Sequence, residues 1–154
     1  MCLEFTRTFS HSLVLPTEAV SRGLLDRGSL SLREREIVID RTTWRCGSEY
    51  EWGVHVAFFG ARMGFGEEEI AGLCCDDAET TVFSLRERLL LRLCDELHAT
   101  ATVGEELWTA LAAAYSAEQL VELVVLAGLY HAISFATNAL AIPLEPFAAR
   151  FPSA

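Results

Sequence analysis

The chain has 154 residues, 51% of them apolar and 22% charged, with 12 basic against 22 acidic side chains and a net charge of -10. That composition suits a single globular domain, residues 1–154, with a sizeable core, and is too apolar for a disordered chain. Nucleic acid is bound mainly through Lys and Arg, so the acidic balance, with no basic cluster, excludes it as an expected partner.

The sequence reads as all-α. Strand-like alternation is scarce and there are only 4 prolines. A first helix is expected over Thr17–Leu25, with Thr17 after Pro16 as its cap. The second runs from about Ser31 to Trp44, where Ser31 and Glu34 have the spacing of a capping box, each satisfying a free N–H at the helix start. Cys46-Gly47 interrupts it. A third helix is expected from Ser48 to about Arg62, ended by Gly64 and Gly66. A short helix over Glu67–Leu73 follows, then Ser84–Ala99, Glu105–Tyr115 and Ala117–Leu140.

Leu120 to Leu144 is apolar almost throughout, and about 20 such residues can cross a bilayer. With no second span and no basic flank, the expectation is a helix buried in a core or a subunit interface, not a membrane span. The five cysteines (Cys2, Cys46, Cys74, Cys75, Cys94) are odd in number and irregular in spacing. Met1 to Leu15 is charged and lacks the apolar run of a signal peptide, so a reduced, cytoplasmic setting is expected. Neither cysteine nor histidine spacing reads as a zinc site, and no metal is expected.

A weak internal repeat is visible. Ser31-Leu-Arg-Glu-Arg35 recurs as Ser84-Leu-Arg-Glu-Arg88, each opening a helix. A tryptophan (Trp52, Trp108) and a further helix start (Gly66, Ser116) follow in each half. Two helical units packed back on each other would produce this, and so would chance recurrence of capping boxes.

The segment Glu36 to His55 carries the candidate chemistry. Glu51 and His55 are four residues apart and share a helix face. Glu36 lies on the preceding helix, which folds back beside them after a short turn. Burial there would raise the carboxylate pKa values, and a neighbouring carboxylate would raise that of His55, moving both toward the range where acid–base catalysis works best. Each residue also has a plain structural alternative. Glu51 fits a capping box with Ser48, His55 fits a packed core histidine, and Glu36 fits an ion pair with Arg33.

Glu36, Ser48, Glu51 and His55, spaced by twelve, three and four residues, resemble the catalytic segment of the carboxymuconolactone decarboxylase and alkylhydroperoxidase D-like family. Tyr50-Glu-Trp52 followed by His55 looks like its cysteine-lacking variant. Ser31–Val38, Gly64–Leu73, Leu129-Tyr-His131 and Asn138–Pro143 are similar to the family's flanking helices, so the resemblance covers roughly residues 28–145. It implies an all-α, alkylhydroperoxidase D-like helical bundle assembled as a homo-oligomer, a trimer or hexamer. In the peroxidase branch a Cys-x-x-Cys pair occupies the positions held here by Ser48 and Glu51, and neither replacement forms a disulfide. The decarboxylase branch works on small acids or lactones with no cofactor.

The function expected is therefore cofactor-free acid–base catalysis of lyase or decarboxylase type on a small organic acid or lactone. His55, Glu36 and Glu51 are its catalytic candidates, with Tyr50, Ser48 and Cys46 toward the substrate. Binding the substrate's anion would call on Arg33, Arg45, Arg62 or a helix N-terminus. Two alternatives stand beside it. One is a thiol peroxidase in which Cys46, at a helix start that lowers its pKa, replaces the missing pair. The other is a non-catalytic helical assembly protein, for which a closed pocket is expected.

Overall fold

The computed structural model describes residues 28–78 and 80–152; the helix expected over Thr17–Leu25 lies outside them. The described residues form six α-helices: α1 Leu32–Arg45, α2 Glu49–His55, α3 Glu67–Leu73, α4 Leu85–Thr100, α5 Glu105–Ala114 and α6 Ala117–Ala139. The capping box read at Ser31 and Glu34 begins α1, and the helix starts read at Ser84 and Ser116 are capping boxes too. Ser31, Ser84 and Ser116 each accept from the backbone N–H three residues on, while Glu34, Glu87 and Gln119 reach back to the cap.

α1 is the central helix, packed between α4 and α6, and every residue from Arg35 to Thr43 is buried. Ile37, Val38 and Ile39 meet Leu90, Leu91 and Leu93 of α4 and Leu123, Leu126 and Ala127 of α6 in one core. The most buried helix is thus also a polar one, since Arg35, Glu36, Asp40 and Arg41 go inside with it. α6 passes the length and hydropathy test for a membrane span. It turns Leu120, Leu123, Leu126 and Tyr130 into the core and leaves Val121, Val125 and Phe135 exposed.

The internal repeat has a physical counterpart. Arg33 Nε donates to Glu87 at 2.6 Å, and Arg86 Nε donates to Glu34 at 2.8 Å. The third residue of each Ser-Leu-Arg-Glu-Arg start thus pairs with the fourth of the other. Each arginine also lies over an aromatic ring that precedes a helix start, Arg33 over Phe65 and Arg86 over Tyr115. Two helical halves are related by an approximate two-fold exchange. It fails at the tryptophans, because Trp52 is buried and Trp108 half exposed.

The third expected helix divides. α2 ends at His55, and the chain continues as one π-helical turn over Val56–Gly60 and a 3₁₀ turn over Ala61–Met63. Gly64, at φ +75°, then reverses the chain in a conformation that L side chains rarely adopt. Beyond α6, residues 141–152 cross the outside of α2 as an irregular strap. Trp52 packs against Phe151 with the rings tilted and their centroids 5.1 Å apart, Ala149 N–H donates to the Gly53 carbonyl at 3.0 Å, and Phe151 N–H donates to Glu49 at 3.1 Å.

Candidate active site

Three helices converge on His55, the last residue of α2. From α1, Glu36 accepts from His55 Nδ1 at 2.9 Å. From its own helix, Glu51 Oε1 lies 3.6 Å from His55 Nε2. From α6, the Tyr130 hydroxyl is 3.2 Å from the same Nε2, with its ring edge-on to the imidazole. Burial alone would push the imidazolium down. Its hydrogen bonds and charge attraction to Glu36 and Glu51 outweigh that and raise His55 to about 10. His55 is therefore doubly protonated at neutral pH, with Nδ1–H donating to Glu36 and Nε2–H directed at Tyr130 and Glu51.

Asp40 completes the group. It is one turn after Glu36 on the same face of α1, and its ligand oxygen lies within 4.8 Å of those of Glu36 and His55. Both carboxyl oxygens are buried without a hydrogen-bond partner. Burial first, and the charge of Glu36 second, hold Asp40 well above the usual carboxylate range. Its protonated form is thereby favoured beside the ion pair. The Tyr130 phenol is likewise held well above its ordinary value, by burial and then by the charge of Glu51.

Two of the structural alternatives do not match the geometry. Ser48 gives no side-chain cap to α2, and its hydroxyl pairs with Thr137 at 2.8 Å, so Glu51 is not part of a capping box. Arg33 is taken by Glu69 and Glu87, not by Glu36. Glu51 Oε2 is buried with no partner. Burying an unmatched carboxylate oxygen costs on the order of 1–3 kcal/mol. Two such groups around one imidazolium form a site that a core selected for packing alone would not carry.

The structure brings Glu36, Glu51 and His55 together and places Tyr50, Ser48 and Cys46 elsewhere. Tyr50 packs with Val54 against Ile142, Leu144 and Ala148, and its hydroxyl donates to Glu145 at 3.4 Å, so it docks the strap. Cys46 is the C-cap of α1 and not a helix start. Its thiol is raised by burial, the opposite of the activation expected. Arg33 and Arg45 are committed to carboxylates of other elements. Asp40 and Tyr130 went unread in the sequence. Asp40 had a signal, the four-residue spacing from Glu36, whereas Tyr130 is 75 residues from His55.

The ligand atoms of Glu36, Asp40 and His55 are close enough to surround a cation. An imidazolium has no lone pair to offer, so a cation there would have to displace the His55 proton. The site is closed, with Glu36, Glu51 and His55 each 7–9% exposed. Phe59, on the π-helical turn, lies 5.4 Å from the His55 ring and is itself only partly buried. π-helical turns recur at functional sites.

No protein-family model matches the sequence, and no curated protein is significantly similar to it. Among solved structures, the chain is similar to an Agrobacterium tumefaciens protein described as of unknown function and as a candidate antioxidant-defence protein AhpD. The TM-score is 0.80, at 17% identity over 92% of this chain and 95% of that one. The chain thus has the alkylhydroperoxidase D-like helical fold that its sequence resemblance implied.

Proposed function

We propose that this protein is a carboxymuconolactone decarboxylase-type enzyme that catalyses proton transfer on a small carboxylated lactone or keto acid without a cofactor. The observation that carries the reading is the buried His55 imidazolium set between Glu36 and Glu51, with neutral Asp40 and Tyr130 against it. Loss of carbon dioxide, or of a proton beside a carbonyl, leaves an electron pair that becomes an enolate. A fixed positive charge in a dry site stabilises that developing anion. Glu51, with one oxygen unpartnered, is the base. Glu36 holds the ring in place, and Asp40 is the neutral proton source. Substrate enters by displacement of Phe59 and the π-helical turn that carries it.

The closed site is the observation that favours a second reading, a non-catalytic assembly protein. The exposed stripe Val121, Val125 and Phe135 on α6 suits packing against a second copy under either reading. The raised Cys46 thiol counts against a thiol peroxidase, because peroxide reduction needs the thiolate. The test is turnover and solvent-deuterium incorporation over a panel of carboxylated lactones and β-keto acids, with His55→Gln alongside. Activity lost in His55→Gln is expected. Activity surviving in that variant, or none in the native protein, overturns the acid–base reading.

A further inference from the structure

At the C-terminus of α1, a second group of side chains gathers from three helices. Cys46 caps α1, His98 is in the last turn of α4, and His131 is midway along α6. We infer that Cys46 Sγ, His98 Nδ1 and His131 Nε2 form a site for a divalent zinc-like ion with a water as the fourth ligand. This is independent of the acid–base reading.

Geometry is the first support. Cys46 Sγ lies 3.8 Å from His98 Nδ1, and His98 Nδ1 lies 3.2 Å from His131 Nε2. Ordinary zinc–nitrogen and zinc–sulfur bonds at tetrahedral angles put two nitrogens about 3.3 Å apart and a sulfur and nitrogen about 3.6 Å apart. All three ligand atoms are within 4.8 Å of one another. His98 is thus already at coordination spacing from both of the other ligands.

The second support is the orientation of His131. Its Nδ1 is 2.9 Å from the Ala127 carbonyl, which can only accept, so that nitrogen carries the proton. The Nε2 lone pair is thereby turned toward His98 and Cys46. A carbonyl holding the far ring nitrogen is the usual outer-shell partner of a metal-binding histidine. The Cys46 backbone is itself held, since its carbonyl accepts from Asn138 at 2.8 Å.

The proton balance is simple. Without an ion, His98 Nδ1–H donates to His131 Nε2 and Cys46 is a thiol. With the ion, the His98 proton moves to its Nε2, the thiol proton goes to solvent, and one proton is released per ion bound. A soft thiolate with two imidazoles selects zinc or cobalt over magnesium or calcium. The ion would tie together the ends of α1 and α4 and the middle of α6, just before the Gly47-Ser48 link into the helix that bears Glu51 and His55.

The experiment is titration of the chelator-treated full chain with Co2+ and, separately, Zn2+ by equilibrium dialysis. One ion per chain is expected, with a sulfur-to-cobalt charge-transfer band and the intense visible bands of four-coordinate cobalt. Cys46→Ser should abolish the charge-transfer band. His98→Ala and His131→Ala should each weaken binding at least tenfold. His55→Gln should leave the band intact, which separates this site from the buried Glu36, Asp40 and His55 group. Circular dichroism checks that each variant is folded. In the native chain, zinc should slow alkylation of Cys46, read by peptide mass mapping, which needs no variant. No bound ion, a band that survives Cys46→Ser, or zinc-independent alkylation overturns the proposal.

Discussion

Replacing Asp40 by asparagine tests the electrostatics of the buried site without touching His55. Both Asp40 oxygens are buried without partners, and burial together with the charge of Glu36 holds the carboxyl well above its usual range. In the unfolded chain the same carboxyl ionises at about 3.9. Above that pH, folding must take up a proton at Asp40, at about 1.4 kcal/mol for each pH unit. The sign follows from the raised folded pKa: this group's contribution is most favourable at low pH and is lost as pH rises. Asparagine does not titrate. It carries a fixed cost on the order of 1–3 kcal/mol for its unmet amide hydrogens, and that cost is independent of pH. Between pH 5 and pH 7 the stability of Asp40→Asn relative to the native protein should therefore rise, by up to about 1.4 kcal/mol for each pH unit at which the folded Asp40 stays protonated. Urea denaturation of both proteins at pH 5, 6 and 7, at one chain concentration, measures the difference. A difference that stays flat across that range would mean Asp40 is ionised in the fold, and the reasoning would fail.

Three further outcomes follow from the same structure. His55 is raised from 6.5 to about 10, so the folded state holds a proton that the unfolded state releases across that window. Native stability should fall with pH through it by on the order of 1 kcal/mol per unit, and His55→Gln should flatten that slope in thermal melts from pH 6 to 10. A Cβ on Gly53 would meet the Ala149 carbonyl oxygen at 2.3 Å, so Gly53→Ala should expel the strap. Limited proteolysis should then cleave within residues 141–152 while the α-helical circular dichroism is largely kept; an undisturbed strap would contradict the contact. Arg41 is fully buried, donates twice to Asp95 at 2.8 and 2.7 Å, and reaches the Leu73 and Cys75 carbonyls. A lysine cannot reproduce that fork, and Arg41→Lys should cost about 2–4 kcal/mol in chemical denaturation; a loss under 1 kcal/mol would contradict it.

What the sequence made legible was local. Ser31-x-x-Glu34, Ser84-x-x-Glu87 and Ser116-x-x-Gln119 mark helix starts because the bonds they make are three residues long, and the structure has all three. Glu51 and His55 share a face for the same reason. The break of the third expected helix at His55 had no such mark. Val56 to Gly60 suits an ordinary helix, and the π-helical turn arises where Phe59 packs on His55 and Phe58 meets Phe147 of the strap, at 5.4 and 5.1 Å. The strap itself is irregular and is held by tertiary contacts alone, which is why Tyr50 read as a substrate contact and not as its anchor. Cys46, His98 and His131 are separated by 52 and 33 residues, a spacing that only the three-helix packing closes.

The buried acid–base chemistry stands on the protonation state of His55, read by nitrogen-15 NMR of the histidine rings from pH 5 to pH 11. One ring, missing in His55→Gln, should stay doubly protonated past pH 8 and titrate at about 10. If every ring becomes neutral near the ordinary histidine value of about 6.5, His55 is not the caged imidazolium on which the proposed chemistry depends.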